Sequence, residues 1–213
     1  MAYSKPIMTS SNQHSTAIKT SLKLAKKHYE NFPVASFFLP KRLRQPIALI
    51  YTFARQADDF ADEGDLSAEQ RLALLNAFES ELDLIHNNKT PKTDLFIALQ
   101  ATIQQHRLEL TPFYALLDAF KQDVTKARYE NIGEVMDYCR RSANPIGRLL
   151  LALYGQSTEK NIGMADAICS ALQLINFLQD IAIDAQKNRV YLPQDELKKY
   201  HVPESQIMNS DSS

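Results

Sequence analysis

Apolar residues recur along this chain every three or four positions, the period of amphipathic helices. Leu43, Ile47, Ile50 and Phe53 share one face and predict a long helix from Pro40 to about Glu63. Pro46 falls near its first turn, where a missing N–H costs little. Gly64-Asp65 ends that helix, and Ser67-Ala68-Glu69-Gln70 reads as a capping box opening the next one, to about His86. The same period predicts helices at about 93–108 and 112–130, one at 133–154 interrupted or kinked at Asn144-Pro145, and one from Ser157 or Gly163 to about Lys187. Upstream, a helix from Ser15 to Glu30 ends at Asn31-Phe32-Pro33, and the Ser/Asn/Gln/Thr-rich residues 1–14 show no period and are expected to be disordered. No alternating run long enough for a strand pair occurs, nor any internal repeat or linker. The expected architecture is all-α, with residues 15–213 forming one helical domain.

Composition narrows the chemistry. Glycine occurs only 5 times in 213 residues, far below the typical roughly 7%, and no GxGxxG or GxxxxGK[ST] is present. The glycine-rich nucleotide cradles are therefore excluded. Cys139 and Cys169 make neither a disulfide framework nor a zinc ligand set, and both fall at helix-core spacing. The five histidines are scattered without an HExxH, which argues against zinc hydrolysis. The longest apolar run, Leu149–Tyr154, is six residues, short of the roughly 18 needed for a membrane span. The first thirty residues lack a signal-peptide core. Cytoplasmic location with reduced thiols is expected.

The formal net charge of −1 hides an uneven distribution. Residues 1–57 carry nine Lys/Arg and the single acid Glu30, a balance of +8, while the next nine residues hold five acids and no base. Two readings stay open: a basic solvated face followed by an acidic loop, or a basic rim beside an acidic metal site, both drawn to a phosphorylated ligand. A pI of about 6.5 and the lack of aromatic residues interleaved with the lysines argue against nucleic acid.

Two polar stripes interrupt apolar helices. Tyr51, Arg55, Asp58 and Asp62 lie within about 60° of one another on one helix, and Gln173, Asn176, Asp180 and Asp184 within about 80° on another. Their neighbours are mostly Ala, Leu, Ile and Phe, so both helices are expected to be buried on most sides. Carboxylates four residues apart repel, and no lysine stands four residues on to relieve them. Divalent cations between them would offset that cost, and an oxygen-only ligand set suits Mg²⁺. The plainer alternative is that each stripe is the wet side of an amphipathic helix.

At these residues the sequence resembles the squalene/phytoene synthase family. The resemblance runs from about Ser15 to Pro193. It rests on Ser36-Phe37-Phe38, the Y-x3-R-x2-D-D-x2-D run at 51–62, Y-C-R-R-S-A-N-P-I-G-R at 138–148, Q-x2-N-x3-D-x3-D at 173–184 and Arg189-Val190-Tyr191-Leu192-Pro193. Within the family it is most similar to the HpnC type, on A-D-D-x-A-D-E-G-D at 57–65, S-A-N-P-I-G-R at 142–148 and F-L-Q-D at 177–180. The resemblance implies an isoprenoid synthase bundle with a central cavity, and conversion of presqualene diphosphate to hydroxysqualene. Asp58, Asp62, Asp180 and Asp184 would hold two or three Mg²⁺ ions, with Asp59 supporting. Arg55, Gln173, Asn176 and Ser36 would meet the diphosphate, with Phe37 also contacting substrate. Tyr51 and Tyr138 would line the prenyl cavity, Asn144 would hold the attacking water, and Arg189 with Tyr191 would form either a phosphate-side pair or packing. Implied partners are presqualene or farnesyl diphosphate, other enzymes of the squalene pathway and the inner face of the membrane, with residues 19–44 as the basic contact. Three rival readings are a head-to-head synthase of the same family, a non-catalytic helical partner subunit, and a class I terpene cyclase, whose acid motifs usually differ in spacing and neighbours. Family members continue through further helices after Pro193, so the resemblance implies a complete diphosphate site beside a prenyl pocket lacking part of its lining.

Overall fold

The computed structural model describes residues 39–209, so the helix expected at 15–30, the disorder expected at 1–14 and the candidates Ser36 and Phe37 lie outside the described residues. Ten helices follow in order: α1 (Lys41–Asp62), α2 (Ala68–His86), α3 (Asp94–His106), α4 (Thr111–Thr125), α5 (Ile132–Ser142), α6 (Asn144–Tyr154), α7 (Glu159–Gln179), α8 (Ile181–Gln186), α9 (Gln194–Lys199) and α10 (Glu204–Met208). Among the described residues there is no strand; one isolated parallel bridge joins Arg128 and Val190. The expected all-α bundle stands.

The periodicity places α1 in the centre. Its apolar stripe of Leu43, Ile47, Ile50, Phe53, Ala57 and Ala61 is buried, against α2, α3, α4 and α6. Phe53, fully buried, meets Phe78, Phe96 and Phe113 at ring centroid distances of 5.8, 5.8 and 5.3 Å. The capping box at Ser67 forms as read: the Ser67 hydroxyl accepts from the Gln70 N–H, and the Gln70 Oε1 accepts from the Ser67 N–H. Arg71 on α2 then donates to the carbonyls of Phe60, Glu63, Gly64 and Leu66. One guanidinium thus satisfies the end of α1 that carries the aspartates.

Three helix boundaries differ from expectation. α4 stops at Thr125 instead of 130, because residues 127–130 turn their backbone outward: Val190, Gln194 and Asp195 donate to the carbonyls of Ala127, Tyr129 and Glu130. The expected interruption at Asn144-Pro145 is a full break at Ala143, with Pro145 in the first turn of α6. The last long helix breaks at Asp180 (φ −100°, ψ 10°), which closes α7 and opens α8. The short helices α9 and α10 were not anticipated; Pro193 and Pro203 precede them, followed by acids in the first turn.

The two stripe-bearing helices are also buried differently. α1 is enclosed, whereas α7 buries only Ser170 and Phe177 and leaves Met164, Ile168, Leu172, Ile175 and Leu178 about half exposed. The expectation of two enclosed helices therefore holds for α1 and fails for α7. By length and mean hydropathy α7 is also apolar enough to cross a membrane, a property that the count of uninterrupted apolar runs did not reveal.

α6 and α7 approach closely at Gly147. A Cβ there would stand 2.7 Å from Cys169 Sγ and 3.5 Å from the Ala165 Cβ. Gly147→Ala is expected to destabilise the protein by about 1–3 kcal/mol through overpacking. Adding Cys169→Ala should restore most of that loss in denaturant titrations. Cys139, fully buried, keeps its thiol neutral, with burial pushing its pKa up to about 11.

Candidate active site

The first acid motif occupies the last turns of α1. Arg55 reaches both Asp58 (3.1 Å) and Asp59 (2.8 Å), the i+3 and i+4 positions on its own helix. Asp62 is met from far along the chain: Lys187 Nζ lies 3.0 Å from Oδ2, and Arg189 pairs with Oδ1. Asp62, which looked unrelieved in the sequence, is thus paired by cations that local spacing could not show. The relief is incomplete. Asp59 Oδ1 and Asp62 Oδ1 are buried and accept no aligned hydrogen bond, so Arg55 and Arg189 face them as ion pairs only.

Electrostatics mark the same cluster. Burial, then repulsion from Asp62, pushes Asp58 up to about 6 despite Arg55. Burial, then Asp180, pushes Asp184 up to about 6, and Asp62 adds to that repulsion. The acids of α1 and α8 therefore sense one another. Asp62 goes the other way: burial would raise it, but Arg189 and then Lys187 hold it below the ordinary carboxylate value. An all-oxygen set, charged against its own burial and repulsion, fits a hard divalent cation. Among the described residues no three carboxylate, histidine or cysteine side chains converge closely enough to hold a metal alone. Such a cation would take its remaining oxygens from water and phosphate, as Mg²⁺ characteristically does.

The metal-free protein carries a pH signature. Asp58 and Asp184 bind protons more tightly folded than unfolded, so their contribution to stability is greatest below about pH 4 and is lost as pH rises to about 6. Asp58→Asn and Asp184→Asn should each gain stability relative to the parent across that interval. Urea midpoints at both ends of it check the sign; a parent that gained on the variants with rising pH would contradict the assignment.

Beside the carboxylates opens an apolar cavity of about 510 Å³. Leu39, Ile47, Ile50, Tyr51, Ala54, Phe120, Ile146 and Leu150 line it, with Arg55, Asp58 and Gln173 as its charged and polar members. Tyr51, Arg55 and Asp58 thus face this space together, as the stripe on α1 implied, and Gln173 brings the α7 stripe to it. Asn176 and Asp180 lie exposed on α7 and at its end, and Asp184 is half-buried on α8.

Two candidates, Tyr138 and Asn144, sit away from that cavity, and Tyr191 takes the packing alternative. Tyr138 is not among the residues lining that cavity. It is buried against Tyr129, Phe177 and Tyr191 and donates to Asp123 Oδ2 at 2.5 Å. Asn144, also buried, accepts from the Ser170 hydroxyl at 2.9 Å and so ties α6 to α7. Arg189 and Tyr191 separate in role: the arginine joins the acid cluster, while the tyrosine stacks on Phe177 with centroids 4.1 Å apart. Sequence reasoning missed Lys187, Arg71 and Asp123. Lys187 was legible, standing three residues after Asp184 beside Arg189. Asp123 carries no local signal, since its partners lie 15 and 68 residues away.

Residues 25–213 match the model of the squalene/phytoene synthase family. The chain belongs to that family. Among its relatives, the hydroxysqualene synthase of Zymomonas mobilis is 42% identical over 197 residues, covering 87% of this chain and 64% of that protein. The hydroxysqualene synthase of Rhodopseudomonas palustris is 41% identical over 180 residues, covering 84% and 60%. This squalene/phytoene synthase family member thus spans about three fifths of the length of those relatives. Its fold is similar to the crystal structure of the squalene synthase HpnC from Alicyclobacillus acidocaldarius, with a TM-score of 0.85 at 34% identity over 94% of this chain and 75% of that one. A ligand-bound dehydrosqualene synthase gives 0.80 at 26% identity, over 92% and 68%.

Proposed function

We propose that this protein converts presqualene diphosphate to hydroxysqualene in a Mg²⁺-dependent reaction. The observation that carries this reading is that Asp58 and Gln173, from the two polar stripes, face one apolar cavity. A site for a charged head and a long hydrocarbon tail needs that juxtaposition. The similarity to two hydroxysqualene synthases above 40% identity supports the particular product.

Asp58 and Asp62, with Asp180 and Asp184, would hold the metal, and Asp59 would brace them. A Mg²⁺ ion held there would supply charge neutralisation for the diphosphate as it leaves. Lys187 and Arg189, which pair with Asp62, would also be in reach of phosphate oxygens, and Arg55 would offer them a bidentate contact. Gln173 and Asn176 donate hydrogen bonds at the same end. The apolar walls shield the cyclopropylcarbinyl cation from water, and Tyr51 presents an aromatic face to it. Water then adds to the rearranged cation and gives up a proton to solvent, leaving the alcohol. We place this chemistry in the cytoplasm, beside the membrane that receives the product.

Incubation with presqualene diphosphate and, separately, with farnesyl diphosphate tests this reading. Hydroxysqualene from the first substrate is expected, and no coupled product from the second. Presqualene diphosphate, squalene or phytoene-type products from a C15 or longer prenyl diphosphate would instead identify a head-to-head synthase.

A further inference from the structure

Asp123 has no part in the chemistry above, yet it is the polar centre of a buried aromatic cluster. It sits on α4, 7% exposed, and each of its carboxylate oxygens accepts one phenol: Tyr138 at 2.5 Å on Oδ2 and Tyr191 at 3.1 Å on Oδ1. Tyr191 is stacked between Phe177 and Tyr129, with centroids at 4.1 and 5.4 Å. Its segment is strapped to the α4–α5 connection: Val190 N–H donates to the Ala127 carbonyl at 3.0 Å and Gln194 N–H to the Tyr129 carbonyl at 2.8 Å. Two residues before Tyr191, Arg189 reaches Asp62 on α1. Asp123 also borders a cavity of about 410 Å³ that Asp62, Lys187 and Arg189 line.

Asp123 costs stability as a buried acid, and an apolar residue would fill a purely structural position without that cost. Its two oxygens instead fix two phenols from different segments, one of which carries the arginine of the acid cluster.

We propose that Asp123 is a positioning residue, whose hold on Tyr191 sets where Arg189 stands relative to Asp62 and to the diphosphate bound there. The inference rests on the reading of the acid cluster as a Mg²⁺–diphosphate site.

Calorimetric titration of inorganic pyrophosphate into the full chain in Mg²⁺ tests it without turnover. Asp123→Asn is expected to weaken binding about tenfold, as loss of a supporting partner does at metal sites. In an Arg189→Lys background the same substitution should cost less than about twofold, because its effect passes through the arginine. An equal loss in both backgrounds, or none in the parent, would overturn the proposal. If Asp123→Asn does not fold, Tyr191→Phe replaces it, keeping the ring stack and removing only the phenol; its loss should likewise vanish in the Arg189→Lys background. Failure of the unmodified protein to bind pyrophosphate is a separate outcome, which removes the site reading and this inference with it.

Discussion

Asp58→Ala and Asp180→Ala should each lower Mg²⁺-dependent release of diphosphate from presqualene diphosphate by at least about a hundredfold. The expectation follows from position. Asp58 lines the apolar cavity and is raised to about 6 by burial and by Asp62, so its charge exists only at a cost that a cation offsets. Asp180 sits where α7 gives way to α8, and removing it leaves Asp184 without its neighbour. Neither residue belongs to the hydrophobic core, so both variants should stay folded without metal. Near-normal release by either variant would sink the metal assignment. The non-catalytic subunit reading is tested by the same proteins: a scaffold gains no thermal stability from pyrophosphate and Mg²⁺, whereas a binding site does.

Phe53→Ala should cost about 3–5 kcal/mol of folding stability. Phe53 is fully buried in the middle of α1 and contacts rings on α2, α3 and α4, so no single neighbour can collapse into the space. Against a typical total of about 5–15 kcal/mol, that loss leaves a protein unfolded or nearly so. Equilibrium denaturation gives the value directly. A loss below about 1 kcal/mol would mean that the aromatic cluster is loosely packed.

What could be read in the sequence follows from range. The α1 stripe, the Ser67 capping box and the break at Asn144-Pro145 are written in residues three or four apart, and the structure has them. The break at Asp180 has no proline or glycine to announce it. The burial of α7 was misjudged for a related reason: apolar residues on every side look the same whether neighbours cover them or not, and Met164, Ile168 and Leu172 stand exposed. At the site, Arg55 could be paired with Asp58 and Asp59 from spacing alone. Lys187 and Arg189 reach Asp62 across 125 and 127 positions, which only the fold reveals. Tyr138 and Asn144 show the converse. Both were placed by resemblance in the reacting pocket, and both spend their polar atoms on partners in the interior, Asp123 and Ser170.

The most direct test is to incubate the protein with presqualene diphosphate and Mg²⁺ in heavy-oxygen water and to identify the product by mass. The account predicts hydroxysqualene carrying the heavy oxygen, with one diphosphate released per alcohol formed. Unreacted substrate, or a hydrocarbon without oxygen, would contradict it.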